Sequence, residues 1–410
     1  MIALNISTPP SLQDALSPQH LDNPYLIYQR LRENDPVYWD NKTHAWIITG
    51  YEYAMMILRD ARCSSQRSLL SLRSMSEQRL QQMAPVLSVL SRQMIFIDPP
   101  DHTRLRRLVN KAFTPARVEM MRAFIQQLVN QLLDTLQEKE HVEIVNDFAF
   151  PIPATVIAQL LGVPTNDQKQ FATWTDAFGV LLDGSPHTEE EMMQALSLVA
   201  DFLDYFRHLI AERRNAPQND LIQALLVTEE QGEVLSEEEI IGNCLLLFAA
   251  GHGTTIYGIS NGLFALLQHP DQLRAVQSDP SLMTAAVQEL LRYESPVQVT
   301  SRQAREAFML GNRQIAAGDR LIVHLGAVNH DPAQFQEPDQ LDVRRFASRN
   351  LAFGHGIHFC LGSPLALLEI EIALTTLLTR FPKIQLTSQT PQWHPVLSFR
   401  HLVELPVNLQ

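Results

Sequence analysis

The hydrophobic residues of this chain recur every three to four positions over most of its length, which is the spacing of one face of an α-helix. This pattern predicts helices over residues 24–35, 51–60, 103–112, 115–139, 154–161, 167–182, 189–214 and 237–268. Strand patterns cover residues 36–49 and, after Pro296, residues 298–301, 308–310, 321–324 and 397–407, with a turn at 183–186. The predicted fold class is therefore mainly α with small antiparallel β-sheets.

The chain has 410 residues, no internal repeat and no glycine- or serine-rich linker, so we expect a single domain over residues 1–410. Its 45% hydrophobic and 19% charged residues exclude an intrinsically disordered chain. A net charge of −13 argues against nucleic acid as the main partner. The N-terminus lacks the features of a signal peptide, and no run of about 20 apolar residues offers a membrane span. We therefore expect a cytoplasmic protein with no membrane partner.

The predicted helix Glu237–Gln268 is roughly 48 Å long and unusual in its middle. Four glycines interrupt its interior: Gly251, Gly253, Gly258 and Gly262. Each of them costs about 1 kcal/mol relative to alanine. Small residues permit close helix packing, but they also open a groove for a flat or small molecule, beside which Thr254 supplies a hydroxyl. From this helix alone the two interpretations are equally supported.

A cysteine flanked by glycines lies near the C-terminus, in the sequence Phe353-Gly354-His355-Gly356-Ile357-His358-Phe359-Cys360-Leu361-Gly362. A lone cysteine is usually a small buried residue, but these glycines predict a tight loop that directs backbone N–H groups at the Cys360 sulfur. The helical run from Leu365 adds a helix N-terminus, which stabilises a thiolate. Such a thiolate is either a nucleophile, with His358 as its base, or the single protein ligand of a haem iron.

Further motifs accompany this loop: residues 98–107, Ala250-Gly251-x-x-Thr254-Thr255, Glu289-x-x-Arg292, and Arg345 in the run 341–346. With this set the chain resembles the cytochrome P450 haem-thiolate monooxygenases, specifically the soluble bacterial, ferredoxin-dependent members that tailor secondary metabolites. The resemblance covers residues 24–407 and leaves residues 1–23 as an N-terminal segment that we expect to be poorly ordered. It implies the P450 fold, in which the haem lies between the long central helix and the cysteine loop.

The resemblance implies a haem b cofactor whose iron is bound by Cys360, in a loop shaped by Phe353, Gly354 and Gly362. It implies that the haem propionates are bound by His102, Arg106, Arg302 and His358. Arg104 and Arg107, which neighbour this set, are interpreted as a solvated basic face. The resemblance gives a structural role, a buried ion network that fixes the core on the cysteine side, to Glu289, Arg292 and Arg345.

The resemblance also implies that the protein activates O2 and hydroxylates or epoxidises its substrate. Thr254 matches the threonine that holds water for proton delivery, but Gly253 occupies the position that usually carries an acid. The simplest explanation is that ordered water or the substrate relays protons. The alternatives are that His252 donates the proton, although it points about 100° away around the helix, or that the protein uses peroxide as oxidant.

The implied substrate is a hydrophobic small molecule, such as a polyketide or a terpene. The residues that the resemblance places around it are Leu87, Leu181, Phe248, Ala249, Val297, Val299 and Phe399. Apolar residues at helical spacing are, however, more often plain core. The serine- and glutamine-rich stretch 62–94 is interpreted as a mobile lid over the pocket.

Electrons are expected from a separate ferredoxin or flavodoxin-type protein, and we expect a monomer. A stretch without acidic residues provides a candidate docking patch for an acidic donor: Arg104, Arg106, Arg107, Lys111 and Arg117, with Arg344, Arg345 and Arg349 before the cysteine loop. A plain solvated patch is the alternative.

Two other function classes stay open, a haem-thiolate protein that binds a ligand without turnover and a haem-independent thiol hydrolase that uses Cys360 and His358.

Overall fold

The computed structural model describes residues 11–409 except 67–75, 140, 165–166, 183–186, 231, 346–348 and 389. The turn predicted at 183–186 and residues 1–10 of the N-terminal segment therefore lie outside the described residues. The described part of that segment begins with a helical turn, Leu12–Leu16, capped by Ser11. Leu12 and Ala15 are fully buried and pack with residues of the first helix, so this stretch contributes to the core.

Helices make up most of the described chain, as the hydrophobic spacing predicts. They are α1 (Tyr25–Asn34), α2 (Tyr51–Arg59), α3 (Glu77–Gln82), α4 (Ala84–Ser91), α5 (Asp101–Ala112), α6 (Pro115–Met120), α7 (Arg122–Gln137), α8 (Pro151–Leu161), α9 (Gln168–Leu182), α10 (Glu189–Asn215), α11 (Leu221–Val227), α12 (Glu237–Gln268), α13 (Pro270–Ser278), α14 (Met283–Tyr293), α15 (Leu325–Val328) and α16 (Ser363–Arg380). The prediction of a long helix over Glu237–Gln268 is confirmed at both ends.

The single helix predicted over residues 115–139 is wrong in one respect, because the structure contains two helices there, α6 and α7. The backbone N–H of Met121 donates to the carbonyl oxygen of Val118, three residues earlier, at 3.0 Å. This tighter turn separates the two helices. No glycine or proline marks the change, so the hydrophobic spacing could not show it.

The strands are short. They are β1 (Val37–Asp40), β2 (Ala45–Ile48), β3 (Cys63–Ser64), β4 (Val142–Glu143), β5 (Glu229–Glu230), β6 (Glu233–Val234), β7 (Val299–Ala304), β8 (Phe308–Leu310), β9 (Arg313–Ile315), β10 (Arg320–His324), β11 (Gln385–Leu386), β12 (Gln392–Trp393), β13 (Leu402–Glu404) and β14 (Pro406–Asn408). The strands at the predicted positions are β1, β2, β7, β8, β10, β13 and β14, whereas β3, β4, β5, β6, β9, β11 and β12 were not predicted. The largest sheet has five strands in the order β1-β2-β10-β7-β3. Its strand pairs are antiparallel except β2 and β10, which are parallel.

Helix α12 runs through the main hydrophobic core, where it packs against α8, α10, α14 and α16. Gly258 lies so near α16 that a Cβ there would be 2.7 Å from the Ile370 side chain, and a Cβ at Gly262 would be 3.4 Å from Leu290 on α14. Close helix packing therefore explains these two glycines. Gly251 and Gly253 have no comparably close neighbour from another element among the described residues, so the groove interpretation applies to the middle of the helix.

Among the described helices, α12 alone is long and apolar enough to cross a membrane. However, 67% of its apolar window is buried inside the chain. The apolar composition of α12 is therefore accounted for by its place in the protein core.

Candidate active site

The cysteine loop leads into α16, and two glycines give it its shape. Gly354 and Gly356 have φ angles of 70° and 76°, in the left-handed region that favours glycine. A Cβ at Gly356 would also be 2.3 Å from the carbonyl oxygen of Leu58 on α2. The backbone N–H of Cys360 donates to the carbonyl oxygen of Phe353 at 3.0 Å and so closes the loop. Backbone conformation and the close approach of α2 together require glycine here.

The Cys360 sulfur lies at the N-terminal end of α16. Burial raises the pKa of the Cys360 thiol, and this effect exceeds the opposing influence of the Gly362 and Ser363 backbone N–H groups and of Arg106. A nucleophilic cysteine needs a lowered pKa, so the surroundings do not favour the thiol hydrolase interpretation. A bound metal ion deprotonates a coordinating thiol outright. The donors around the sulfur then stabilise a metal-bound thiolate.

One helix, one strand and the cysteine loop bring the four predicted propionate ligands together. His102 and Arg106 lie on α5, Arg302 lies on β7, and His358 lies in the helical turn before Cys360. The rings of His102 and His358 are 4.2 Å apart, and the charges of Arg106 and Arg302 both act on His102. Residues that are far apart in the sequence therefore form one positively charged cluster beside the loop.

Buried polar atoms in this cluster fit an anionic ligand. His102 is 2% exposed, and neither of its ring nitrogens has a hydrogen-bond partner among the described residues. Burial, and next the charge of Arg106, lower the pKa of His102. Arg302 is buried as well and forms no ion pair with any residue in the described ranges, and burial lowers its pKa. Asp98 is the nearby carboxylate that acts on both His102 and Arg302. A buried arginine without a directly paired carboxylate is costly, and the negative charge of the haem propionates is opposite to that of Arg302 and Arg106.

The middle of α12 carries the predicted oxygen-activating residues. Thr254 is half-buried, and its Oγ1 donates to the carbonyl oxygen of Ala250 at 2.8 Å. Ala250 is exposed although the preceding turns of α12 are buried, and Gly251 and Gly253 place no side chain on the helix surface. This open stretch of helix beside a threonine hydroxyl fits a flat cofactor such as haem.

His252 lies on a different side of α12 from this open stretch. It is 2% exposed, and its ring lies 4.7 Å from the ring of Phe150 and 6.2 Å from that of Phe248. Burial lowers the pKa of His252 to about 4, against a smaller opposing effect of the Phe150 backbone. The contacts of His252 therefore give no support to its predicted role as proton donor, which stays a hypothesis.

We expect His252→Phe to make the protein less sensitive to acid. The folded-state pKa of about 4 lies below the ordinary value of 6.5, so the unfolded chain binds the proton more tightly and stability falls as the pH drops from 6.5 towards 4. At pH 5 this loss amounts to about 2 kcal/mol. Denaturant unfolding at pH 7 and pH 5 should show a correspondingly smaller loss in the variant, and an equal loss in both proteins would contradict the buried neutral histidine.

The predicted structural residues form a buried ion network between α14 and the segment before the cysteine loop. Glu289 accepts hydrogen bonds from Arg292 at 2.7 and 2.8 Å and from Arg345 at 3.0 Å. Arg292 also donates to the carbonyl oxygens of Asn329 and Pro338, each at 2.8 Å. Glu289 and Arg292 are fully buried. The network ties three separate parts of the chain together behind the cysteine loop.

The residues predicted to contact substrate lie on several elements. Leu87 lies on α4, Leu181 on α9, Phe248 and Ala249 on α12 and Val299 on β7, while Val297 and Phe399 form an isolated β-bridge. The ring of Phe399 lies 6.1 Å from that of Tyr257 on α12, so the C-terminal segment reaches this helix one turn after Thr254. Leu181 and Phe248 are almost fully buried, and both therefore contribute to the core.

The stretch predicted to form a lid, residues 62–94, is only partly described, because residues 67–75 lie outside the described ranges. The described part contains β3, α3 and α4. Val89 of α4 lies against α12, where a Cβ at Gly242 would be 2.8 Å from the Val89 carbonyl oxygen. Mobility of the remaining stretch stays a prediction.

Basic side chains of α5 are paired within the chain more than the sequence suggests. The pairs join α5 to the β5–β6 hairpin and to the start of α12: Arg104–Glu239, Arg107–Glu230, Arg107–Glu233 and Lys111–Glu230. The acidic partners follow in the sequence more than 100 positions later. The absence of acidic residues near α5 in the sequence therefore did not show whether its basic side chains are paired in the folded protein. The patch of free positive charge available to an electron donor is therefore smaller than predicted.

The structure adds Tyr257, which the motifs did not single out, to the surroundings of Thr254. A Cβ at Gly253 would be 3.4 Å from the Tyr257 hydroxyl oxygen. Residues four apart lie on the same side of a helix, so the spacing from Gly253 to Tyr257 was the available signal.

A cysteine at the start of a helix, a cluster of two histidines and two arginines beside it and an open helix face with a threonine hydroxyl together fit a haem-thiolate protein. The sequence profile of the family described as Cytochrome P450 matches residues 87–403. The chain belongs to the cytochrome P450 family. It is accordingly an oxygen-incorporating oxidoreductase with haem b as its cofactor.

Bacterial relatives match this chain over almost its whole length. The biotin biosynthesis cytochrome P450 of Bacillus subtilis (strain 168) is 39% identical, over 96% of this chain and 98% of the relative. The polyketide biosynthesis cytochrome P450 PksS of the same strain is 38% identical, over 94% of this chain and 96% of the relative. The crystal structure of P450BioI in complex with hexadec-9Z-enoic acid ligated acyl carrier protein is similar with a TM-score of 0.89 and 38% identity, over 97% of this chain and 100% of that chain.

Proposed function

We propose that this P450 hydroxylates or epoxidises an extended apolar secondary metabolite, such as a polyketide, a terpene or an acyl chain. One observation supports the proposal: an apolar ring of the C-terminal segment approaches α12 three residues after Thr254. Val297 and Phe399 are paired, and the ring of Phe399 approaches Tyr257. Ala249 contributes only a methyl group in the same region. Apolar walls with few polar groups select hydrocarbon surface over charged molecules.

The names of the relatives support the same substrate class. One relative acts in biotin biosynthesis and another in polyketide biosynthesis, and P450BioI has been solved with a hexadecenoic acid carried on an acyl carrier protein. For this chain, these names favour a chain-like substrate over a compact polar one.

The residues of the site have separate roles in this proposal. Bound haem supplies the activation of O2. Cys360 would hold the iron, with the N–H groups of Gly362 and Ser363 stabilising the charge on the sulfur. The propionates would be held by His102, Arg106, Arg302 and His358. Thr254 keeps water in place for proton delivery.

We propose that electrons come from a separate ferredoxin or flavodoxin-type protein and that the enzyme is a cytoplasmic monomer. Ile357 and Phe359 are 52% and 42% exposed on the cysteine loop. A donor that docks there lies within three residues of the iron ligand. Because much of the positive charge of α5 is already paired, contact with this apolar surface supports docking more than long-range attraction does.

Titration of the ferric protein tests the proposed substrate class. We expect hexadec-9Z-enoic acid, free or on acyl carrier protein, or an apolar polyketide or terpene to shift the iron from low spin to high spin by displacing its water. Half-saturation should fall between about 1 μM and 1 mM. Butanoate serves as the control, since it carries the same carboxylate on too short a chain. A shift with polar compounds but with no member of the apolar panel would contradict the proposal.

The glycine at position 253 favours one second candidate, a haem-thiolate enzyme that uses peroxide. Product formation is compared between peroxide alone and a surrogate ferredoxin with its reductase and O2. Product only with the donor system excludes the peroxide enzyme. Product with neither oxidant, while the substrate still shifts the spin state, would identify a ligand-binding protein without turnover.

A further inference from the structure

The side chain of Tyr257 lies beside the position where the proton-delivery machinery of this chain lacks its acid. Gly253 precedes Thr254, and a Cβ at Gly253 would be 3.4 Å from the Tyr257 hydroxyl oxygen and 3.6 Å from the ring carbon that bears it. A longer side chain at position 253 would begin in van der Waals contact with this hydroxyl. The phenol therefore places a polar group in the region that the missing carboxyl group would occupy.

Stacked rings support the orientation of Tyr257. Its ring lies 4.2 Å from that of His401 with an angle of 19° between the planes, and His401 stacks in turn on His394 at 4.4 Å and 20°. Burial lowers the pKa of His401 to about 3, with a further contribution from His394, so the middle ring of this stack is neutral. His394 is exposed. The stack leads from the middle of α12 to the protein surface.

The hydrogen bond of Thr254 shows why another polar group is needed. A threonine hydroxyl has one hydrogen to donate, and in Thr254 that hydrogen is directed to the carbonyl oxygen of Ala250, 2.8 Å away. The remaining lone pairs of Thr254 can only accept. A proton donor must therefore come from a neighbouring water or side chain, and His252 packs elsewhere.

We propose that Tyr257 is a positioning residue for proton delivery, and that its hydroxyl holds the water beside Thr254 that the acid at position 253 holds in other members of the family. Each proton that this water gives up is replaced from solvent, so Tyr257 returns to the same state after every turnover. The inference rests on the proposed function, since it concerns proton supply to the same reaction. It is independent of which apolar substrate is bound.

The variant Tyr257→Phe keeps the ring stack and removes only the hydroxyl. In the haem-loaded enzyme with a surrogate ferredoxin system, we expect product per electron consumed to fall about threefold or more and hydrogen peroxide release to rise. The solvent deuterium isotope effect should change as well, because proton delivery is impaired. The resting ferric spectrum, measured by electron paramagnetic resonance, should shift, because the water network beside the iron has lost a partner. Substrate affinity should stay within about twofold of the wild type.

Two further variants keep the test decisive. Gly253→Glu in the Tyr257→Phe background should restore the product yield, since it supplies a carboxyl group at the same place. Tyr53→Phe, the same chemical change in a half-buried tyrosine of α2, is the control and should change none of these measurements. Unchanged coupling, isotope effect and resting spectrum in Tyr257→Phe would overturn the inference, as would a failure of Gly253→Glu to restore the yield. A failure of the proposed substrate class would show instead in wild type, where no apolar compound would shift the spin state.

Discussion

Replacing Cys360 with serine removes the thiolate-type absorption of the reduced carbon monoxide complex and lowers monooxygenase activity at least about 1,000-fold. The expected result follows from the proposed ligand set, in which Cys360 would provide the single protein bond to iron, and a thiolate ligand favours O–O cleavage. Serine has nearly the same shape, so the loop closed by the Cys360 N–H and the Phe353 carbonyl should survive the exchange. The spectrum of the reduced protein with carbon monoxide is the measurement.

One of the two other cysteines provides the control for this experiment. Cys63 and Cys244 are buried and free, and burial raises the pKa of Cys63 to about 12. Cys63→Ser should keep the thiolate-type spectrum, since this side chain lies on β3, outside the cysteine loop. If Cys360→Ser kept that spectrum, the assignment of the iron ligand would be wrong.

Glu289→Gln should lower the free energy of unfolding by about 3–5 kcal/mol, because it leaves two arginines without their carboxylate in a buried network. Arg292 is fully buried and cannot turn to solvent for compensation, whereas the side chain of Arg345 is 15% exposed. The carbonyl oxygens of Asn329 and Pro338 still accept from Arg292, which limits the loss but does not neutralise the charge. Denaturant unfolding of the haem-loaded protein measures the change in the free energy of unfolding. Haem retention on gel filtration shows whether the haem site beside the cysteine loop is still intact.

The matched control for this variant is Glu119→Gln. Glu119 also pairs with an arginine three positions later, Arg122, but both side chains are largely exposed. Exposed pairs of this kind contribute little to stability, so the control should unfold almost as the wild type does. Similar losses for the two variants would show that burial does not determine the importance of Glu289.

The parts of this protein that sequence predicts well depend on neighbours in the chain. Helix α12 has its limits marked by the capping residue Ser236 at one end and by Pro270 at the other, and both predicted limits are correct. The cysteine loop is equally local, since the glycines that shape it lie within six residues of Cys360. In this loop the residues that determine the backbone conformation and the residue that carries the chemistry lie in the same short stretch of sequence.

Contacts between distant segments could not be predicted from the sequence. Arg104 and Glu239 are 135 positions apart, and no spacing rule connects them. The stacking of Tyr257 on His401 likewise depends on the C-terminal segment returning to α12. Even within one segment, the break at Met121 depends on a hydrogen bond to Val118 that leaves the apolar spacing intact. Tertiary packing determines each of these features, and the helix and strand propensities of single residues contain no information about it.

The acidic β5–β6 hairpin and the first turn of α12 pair at close range with Arg104, Arg107 and Lys111, which are the arginines and lysine of α5 other than Arg106. Added salt slows protein association chiefly where unpaired charges draw the partners together, because mobile ions screen such charges within about 10 Å at 0.1 M. Reduction of this enzyme should therefore depend only weakly on ionic strength. In the proposed docking mode, discrimination among the electron carriers of a cell would then depend on the fit against the exposed Ile357 and Phe359.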